Sequence, residues 1–337
     1  MYIAFEQLNI MKIAIFSTYS YDEAFLQRFN TGHTLTFFSV PLNEQTAVLC
    51  RDFDAICIFV NDIVDKEVIN LLDQNGVKLI VLRCAGFNNV DIAAAGQLGI
   101  PVLRVPAYSP EAVAEHTMAL LLTLNRKTHK AYNRIREGNF SLEKLMGFNL
   151  HQRKVAVIGT GNIGKAFCRI LQGFGCNISA FDIYPDAELE KSGVKYGSLE
   201  ETLADADVVS LHCPLSDTTR HLVNSESLKH FKKGAMLLNT SRGGLINTLD
   251  VIEALKQGQL GYLGLDVYEQ ESNLFFQDNS EDIIQDDLIL RLIAFPNVLV
   301  TSHQGFFTLE AMEQIANTTF QNIDAFEKNT TLINQVN

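Results

Sequence analysis

The sequence predicts an α/β protein made of two doubly wound parallel-sheet units. Short apolar or β-branched runs alternate with amphipathic stretches along nearly the whole chain, which indicates parallel strands covered by helices on both faces. A length of 337 residues, 47% of them apolar, is sufficient for about two such units. The predicted strands occupy residues 12–17, 54–60, 77–86, 154–159, 176–182, 207–214, 235–241, 261–268 and 297–302.

One helix is predicted with particular clarity. Residues 108–126, YSPEAVAEHTMALLLTLNR, place Ser109 at the N-cap and Pro110 at the first helical position. Apolar residues cover more than one face of this helix, which indicates burial on all sides. We therefore expect it in a central core, and in or beside the subunit contact of a homo-oligomer, a dimer or a tetramer.

The composition excludes several classes of partner. The 27 basic and 39 acidic side chains give a net charge of −12, which argues against nucleic acid and anionic membranes. The longest apolar stretch, residues 118–124, is far shorter than a membrane span, and residues 1–10 lack the features of a secretory signal. Six cysteines without a C-x-x-C pair predict free thiols of a cytoplasmic protein, and no residue spacing predicts a metal site.

Several predicted strands end near groups that can carry charge, which is costly in a core unless a partner or ligand compensates. Arg242 and His303 each follow directly on such a strand. Other candidates at strand ends are His212 and the carboxylates Asp266, Glu269 and Glu271. Because ligands bind beyond the carboxyl ends of parallel strands, we expect a reacting centre of arginine, histidine and carboxylate. These residues by themselves do not select between the two histidines.

A glycine-rich motif follows the fourth predicted strand and precedes a predicted helix. Gly159, Gly161 and Gly164 fit the pattern G-x-G-x-x-G, which is weak alone but predicts a dinucleotide-binding fold in this context. The three glycines would permit a tight turn, approach of the pyrophosphate and close helix packing, in that order. The helix N-terminus, with Asn162 and Ile163, offers free N–H groups to the phosphates.

Asp182 ends the strand after this motif, 18 residues beyond Gly164. A carboxylate there can accept hydrogen bonds from the ribose 2′-hydroxyl and repels a 2′-phosphate. The next residues, Ile183, Tyr184 and Pro185, provide no arginine for such a phosphate. The sequence therefore predicts NAD as the cofactor in preference to NADP.

On these residues the chain resembles the D-isomer-specific 2-hydroxyacid dehydrogenases, most closely the fermentative D-lactate dehydrogenases of bacteria. The motifs that carry the resemblance are RCAGFNNVD (83–91), VPAYSPEAVAEH (105–116), VIGTGNIG (157–164), NTSRGGLINT (239–248), LDVYE (265–269) and TSHQGF (301–306). The resemblance implies catalytic roles for Arg242, Glu271 and His303, and it selects Glu271 over Glu269. It also implies cofactor contacts from Cys213, Pro214, Thr219, Thr240, Ser241 and Asp266, with Asp266 beside the nicotinamide, and substrate contacts from Ala85, Gly86, Tyr108 and Arg242.

The resemblance further implies a discontinuous architecture. An NAD-binding Rossmann domain, residues 109–305, would be inserted into a flavodoxin-like substrate domain built from residues 1–108 and 306–337. A predicted helix over 309–328 would return to the substrate domain. Residues 1–10 precede the region of resemblance, and we assign no role to them.

The implied function is that of an NAD-dependent D-lactate dehydrogenase, which reduces the small 2-oxo acid pyruvate with NADH. His303 would exchange the proton, Glu271 would favour its protonated form, and Arg242 would bind and polarise the 2-oxo acid. The alternatives are a dehydrogenase for a larger D-2-hydroxy acid and an NADH-sensing corepressor-like protein, which the compact chain disfavours. The carboxylate at 271 disfavours a formate dehydrogenase, and the short stretch of about 34 residues after His303 disfavours a phosphoglycerate dehydrogenase.

Overall fold

The computed structural model describes residues 10–271 and 274–337, which divide into two units. One unit contains the N-terminal residues through Ser109 together with Phe307–Asn337, and the other is Pro110–Phe306. The first unit is therefore assembled from both ends of the chain. Its boundaries lie one residue from those that the resemblance implies.

Five described parallel strands form the sheet of the first unit. They are β1 (Lys12–Ile15), β2 (Thr34–Phe37), β3 (Ala55–Ile58), β4 (Leu79–Leu82) and β5 (Val102–Arg104), in the order β2-β1-β3-β4-β5 across the sheet. The N-terminal part of this unit also contains α1 (Ser20–Phe29), α2 (Lys66–Gln74) and α3 (Ile92–Gln97). The strand order is the flavodoxin-like order of a doubly wound sheet.

The second unit contains a parallel sheet of seven described strands. They are β6 (Lys154–Ile158), β7 (Asn177–Phe181), β8 (Lys195–Tyr196), β9 (Val208–Leu211), β10 (Ala235–Asn239), β11 (Leu260–Leu265) and β12 (Val298–Val300), in the order β12-β11-β10-β9-β6-β7-β8. The helices are α4 (Pro110–Arg126), α5 (Thr128–Arg136), α6 (Asn162–Gly173), α7 (Ala187–Lys191), α8 (Leu199–Ala204), α9 (Thr248–Lys256) and α10 (Asp287–Ala294). This is the Rossmann order with one added strand, and its switch point lies between β6 and β9.

The chain then returns to the first unit through α11 (Leu309–Glu327). This helix packs against α1, β4 and β5, and its Phe320 and Ile323 share a core with Ile13 and Ile15. On the opposite face of the same sheet, Phe16 belongs to a second apolar cluster. Both faces are thus covered, as the near-continuous apolar strands predict, and the predicted fold class is confirmed.

The apolar periodicity does not predict β2, β5 or β8. All three are edge strands of two to four residues in their sheets. A central strand is buried on both faces and reads as an apolar run, whereas β2 and β8 contain no fully buried residue. Such short, partly exposed strands lack the pattern on which a sequence prediction depends.

The helix predicted over residues 108–126 is present as α4. It packs against α6, β10 and β11 of its own unit. Leu120, Leu121 and Leu124 are buried there, together with Met118. Burial within the unit accounts for the apolar residues on several faces, so they provide no argument for a subunit contact at this helix.

Candidate active site

The three glycines of the dinucleotide motif lie where β6 turns into α6. Gly159 has φ +95°, a left-handed conformation, and a side chain there would collide with the backbone of Cys213. A side chain on Gly164 would collide with the carbonyl oxygen of Gly159. Gly161 caps the N-terminus of α6 and faces open space. The turn therefore has a close strand–helix approach and an open helix N-terminus, which together fit a dinucleotide pyrophosphate.

Asp182 follows the carboxyl end of β7 and faces the same turn. Its Oδ2 accepts hydrogen bonds from the amide (2.5 Å) and hydroxyl (3.0 Å) of Thr160, and its Oδ1 accepts from the Tyr184 amide (2.9 Å). Partial burial acts to raise the pKa of Asp182, but these hydrogen bonds outweigh it and lower the pKa. The side chain is thus a fixed carboxylate, and its lone pairs can also accept a ribose hydroxyl.

The other residues implied in cofactor binding cluster after β9 and β10. Ser241 Oγ donates to the carbonyl oxygen of Cys213 (2.7 Å), and Thr219 Oγ1 donates to that of Pro214 (2.7 Å). The Thr240 hydroxyl is buried against a threonine hydroxyl of α4 (2.7 Å). The two loops are therefore joined to each other at the edge of the sheet that carries the glycine turn. Their contact with a cofactor stays a prediction.

Arg242 follows β10 and precedes a short 3₁₀ turn, Gly243–Leu245. Its Nη1 donates to the Ser241 carbonyl oxygen (2.7 Å), and its own carbonyl oxygen accepts from Asn239 Nδ2 (2.8 Å). No carboxylate lies within ion-pair distance of Arg242 in residues 10–271 and 274–337. The guanidinium therefore has donors left for an anionic ligand, and the alternative of a structural salt bridge lacks a partner.

His303 and Glu271 are in direct contact. His303 Nδ1 lies 2.8 Å from Glu271 Oε1, while Glu271 Oε2 accepts from the Tyr268 amide (2.9 Å). His303 has φ +53°, a left-handed conformation that costs a non-glycine residue about 1–3 kcal/mol. Its amide donates to the carbonyl oxygen of Asp266 (2.7 Å), which helps to hold this conformation. The structure thus combines the histidine and the carboxylate that the resemblance implies.

Asp266 is a buried carboxylate with hydrogen bonds to both oxygens. Oδ1 accepts from the Thr301 hydroxyl (2.6 Å) and the Gln304 amide (2.9 Å) and lies 3.2 Å from His116 Nε2. Oδ2 accepts from the Gly305 amide (2.8 Å). Burial acts to raise the pKa of Asp266, but these contacts outweigh it and lower the pKa. Asp266 therefore holds the turn that carries the candidate catalytic histidine, and its contact with a nicotinamide stays a prediction.

Glu269 contacts a different histidine. Its Oε1 lies 2.6 Å from His221 Nε2 and 3.4 Å from Arg220 Nη2. The sequence alone does not show which of Glu269 and Glu271 is the partner of the candidate catalytic histidine, but their contacts differ. Glu271 is the one in contact with His303.

His212, the rival to His303, is packed into the second unit. Its Nε2 lies 2.9 Å from Ser210 Oγ, and its ring packs against Phe167 at a centroid distance of 5.1 Å. The Nδ1 atom is buried and has no hydrogen-bond partner in the described part of the chain. Burial lowers the pKa of His212 to about 3, so this imidazole is neutral near pH 7 and cannot donate a proton as an acid.

The residues implied in substrate contacts from the first unit lie after β4 and β5. The Ala85 carbonyl oxygen accepts from Arg104 Nη1 (2.7 Å), and the Gly86 carbonyl oxygen accepts from Cys84 Sγ (3.2 Å). Tyr108 is half-buried and lies one residue before Ser109, where the N-terminal part of the first unit ends. Their contact with substrate stays a prediction.

The sequence predicts no site role for three residues that contact the carboxylates Asp266 and Glu269. His116 and Thr301 both contact Asp266, and His221 contacts Glu269. His116 and Thr301 belong to the motifs VPAYSPEAVAEH and TSHQGF, which was the available signal. No pattern in the sequence marked His221.

The described residues contain neither a membrane-spanning helix nor a candidate metal site. No helix among them is long and apolar enough to cross a membrane. No group of three or more His, Cys, Asp or Glu side chains in that part of the chain could hold a metal ion. The cysteines Cys50, Cys57, Cys84, Cys168, Cys176 and Cys213 are free thiols.

The chain is similar to known dehydrogenases. Residues 118–305, more than half of the chain, match the family model of the D-isomer specific 2-hydroxyacid dehydrogenase, NAD binding domain. A D-lactate dehydrogenase of Escherichia coli (strain K12) is 50% identical over 328 residues, which cover 97% of this chain and 100% of that protein. The solved pyruvate reductase of Chlamydomonas reinhardtii has a TM-score of 0.92 and 44% identity, with 97% of this chain and 99% of that chain covered. A D-lactate dehydrogenase from Aquifex aeolicus, solved with NAD and lactic acid, has a TM-score of 0.84 and 31% identity, covering 94% and 96%.

The neutral His212 predicts a pH dependence of stability. Its folded pKa of about 3 lies below the value near 6.5 of an unfolded histidine, so between these values the unfolded chain binds a proton that the folded protein does not. Stability should therefore fall as the pH drops below about 6.5, by at most about 1.4 kcal/mol per pH unit from this group. His212→Gln should reduce the slope of the unfolding free energy, measured with urea between about pH 7 and pH 5.

His230→Gln is the matched control, because His230 is exposed in the same unit and should leave the slope unchanged. An unchanged slope in His212→Gln would mean that His212 is not the neutral group. A slope reduced equally in both variants would point to a general charge effect.

Proposed function

The chain belongs to the D-isomer specific 2-hydroxyacid dehydrogenase family, and from this we propose that it is an NAD-dependent D-lactate dehydrogenase that reduces pyruvate. The observation that carries the proposal is the 2.8 Å contact between His303 Nδ1 and Glu271 Oε1. The names of the relatives in Escherichia coli and Chlamydomonas reinhardtii support lactate and pyruvate as the substrate pair.

The cofactor would be held by the second unit. The open N-terminus of α6 at Gly161 would take the pyrophosphate, and Asp182 would accept from the ribose. When bound, NADH supplies the hydride that reduces the substrate carbonyl carbon. The joined loops after β9 and β10 would line the rest of the cofactor.

The proton that completes the new hydroxyl group would come from His303. Because Nδ1 faces Glu271, the ring presents Nε2 as the atom that donates the proton to the carbonyl oxygen. In the neutral ring, the Glu271 carboxylate keeps the remaining hydrogen on Nδ1, where it accepts a hydrogen bond. Nε2 can therefore take the proton back when lactate is oxidised.

Arg242 would bind the carboxylate of the 2-oxo acid. Its planar guanidinium can make two parallel hydrogen bonds to a carboxylate, and it also polarises the neighbouring carbonyl. The lack of an ion-pair partner in the described residues supports this role, because an arginine committed to an internal carboxylate would be less available.

The wild-type protein tests the proposal directly. Pyruvate and NADH should give NADH oxidation and D-lactate, identified by chiral analysis of the product. The values of kcat/KM for pyruvate, 2-oxobutyrate and phenylpyruvate then separate a D-lactate dehydrogenase from an enzyme for larger acids, since a pocket discriminates by about 1–3 kcal/mol per methylene. L-lactate as product would contradict the assignment, and NADH binding without turnover of any of these acids would favour a corepressor-like protein.

Glu271→Gln should change the pH dependence of pyruvate reduction. Glutamine can keep a hydrogen bond to His303 but removes the negative charge beside its ring. The decline of kcat/KM on the alkaline side should therefore begin at lower pH, with a large loss near about pH 8 and a smaller one near about pH 5.5. Oxidation of D-lactate, which uses the neutral ring, should lose less.

His303→Gln should abolish the alkaline decline of pyruvate reduction and the decline of D-lactate oxidation at acid pH. It should also lower both rates by about 100-fold or more. His212→Gln is its control and should leave the pH dependences of catalysis in place. If the alkaline decline of Glu271→Gln does not move, Glu271 is not the charge partner of His303.

Asp182→Ala should weaken NADH binding and narrow the preference for NADH over NADPH. The carboxylate accepts from the ribose diol and meets a 2′-phosphate with like charge, so its removal affects the two cofactors in opposite directions. The measurement is kcat/KM for each cofactor at saturating pyruvate. Equal wild-type values for NADH and NADPH would contradict the preference.

We also propose that the chain forms a homo-oligomer, and we assign the contact to residues 132–146. Five large apolar side chains of this segment are exposed: Tyr132, Ile135, Phe140, Leu142 and Met146. Contiguous exposed apolar side chains of this kind mark interaction surfaces.

Glu substitutions at Leu142 and Met146 together should shift the wild-type oligomer toward the monomer, as measured by light scattering at micromolar concentration. The charges would be buried without partners in the contact. Ile333→Glu is the control, because Ile333 is 87% exposed and lies outside the segment. A monomeric wild type would contradict the proposal.

A further inference from the structure

A second histidine–glutamate pair lies next to the candidate catalytic pair. His221 Nε2 is 2.6 Å from Glu269 Oε1, and Arg220 Nη2 is 3.4 Å from the same oxygen. Thr248 Oγ1 lies 3.5 Å from the other oxygen of Glu269. Donor groups from two separate segments therefore converge on one carboxylate that the proposed chemistry does not use.

The backbone that carries Glu269 lies between the two candidate catalytic segments. The Tyr268 amide donates to Glu271 Oε2 (2.9 Å), which joins it to the partner of His303. On the other side, a side chain on Gly243 would collide with the carbonyl group of Tyr268 and with the amide nitrogen of Glu269. The residue after Arg242 is thus packed directly on this peptide, and a shift of the peptide would move both segments.

The segment that carries His221 is joined to the loop of Arg242. The His221 amide donates to the Gly244 carbonyl oxygen (2.8 Å), and the Val223 amide donates to that of Leu245 (3.0 Å). His221 has φ +50°, a left-handed conformation that a histidine keeps only where its surroundings fix it. The position of this histidine is therefore set by the same loop that positions the arginine.

We propose that Glu269 and His221 form a positioning pair, which fixes the 268–271 backbone against the Arg242 loop. The inference rests on the proposed function, and it assigns the pair an effect on geometry. Neither side chain contacts His303 in the structure, so the pair should act through the positions of Arg242 and Glu271 and not through a direct charge interaction with His303. Because a misplacement of about 1 Å can lower a rate by about 100-fold, this effect is measurable in steady-state kinetics.

Four variants test the proposal: Glu269→Ala, Glu269→Gln, His221→Ala and the double variant Glu269→Ala with His221→Ala. Glu269→Ala should lower kcat/KM for pyruvate by about 10–100-fold and raise the KM for the acid, because Arg242 binds the carboxylate. Glu269→Gln, which keeps the acceptor oxygen, should stay within about threefold of wild type. The double variant should lose no more than the worse single variant, as expected for groups that act as one pair.

Two further measurements and a control variant distinguish positioning from other roles. The pH at which pyruvate reduction declines should stay in place in Glu269→Gln, whereas a charge partner of His303 would move it. The Kd for NADH, followed by NADH fluorescence because the chain has no tryptophan, should change by less than about twofold, which also verifies folding. Glu226→Ala is the matched control, an exposed glutamate of the same unit that should leave kinetics unchanged.

Wild-type kcat/KM in Glu269→Ala, a displaced alkaline decline in Glu269→Gln, or additive losses in the double variant would each overturn the positioning role. Loss of NADH binding in both Glu269→Ala and His221→Ala would overturn it as well, since the pair would then be needed for folding. A wild-type protein that turns over no 2-oxo acid would overturn the proposed function, and this inference with it. An active wild type with unaffected variants would overturn only the inference.

Discussion

The candidate active site depends on the buried carboxylate of Asp266. An isolated ionised carboxylate in a core costs several kcal/mol, so it persists only where donors compensate it. Here the donors are the hydroxyl and amides of the 301–305 turn, together with His116 of α4. The 301–305 turn must therefore lie close in space to the end of β11, where Asp266 is located. The amide of His303 completes the arrangement by donating to the Asp266 carbonyl oxygen, and its side chain thereby reaches Glu271.

The parallel sheet explains why residues far apart in sequence can be predicted to meet. Five site residues each follow the carboxyl end of a strand in one parallel sheet: Gly159, Asp182, Arg242, Asp266 and His303. They therefore lie at the same end of that sheet. The apolar runs predict the strands, and strand direction follows from the alternation with helices. The fold class and the position of the dinucleotide turn could therefore be predicted from the sequence.

Other features could not be predicted, because they depend on side-chain direction within turns. Glu269 and Glu271 are identical residues two positions apart, and only the path of the turn sends one to His221 and the other to His303. His212 also follows a strand, but its ring packs against Phe167 and burial keeps it neutral. The edge strands β2 and β8 could not be predicted either, because they are not buried on both faces and so do not form an apolar run in the sequence.

The two histidine–glutamate pairs share one construction. In each pair the histidine has a left-handed backbone, its amide donates to a carbonyl oxygen of a neighbouring loop or strand end, and its ring contacts a glutamate of the 269–271 turn. Each strained conformation costs about 1–3 kcal/mol, which these contacts offset. The pairs differ in surroundings: Glu269 is also within reach of Arg220 and Thr248, whereas Glu271 is joined to the Tyr268 amide. Glu269 therefore joins side chains of two other segments to the turn, whereas Glu271 joins the turn to His303.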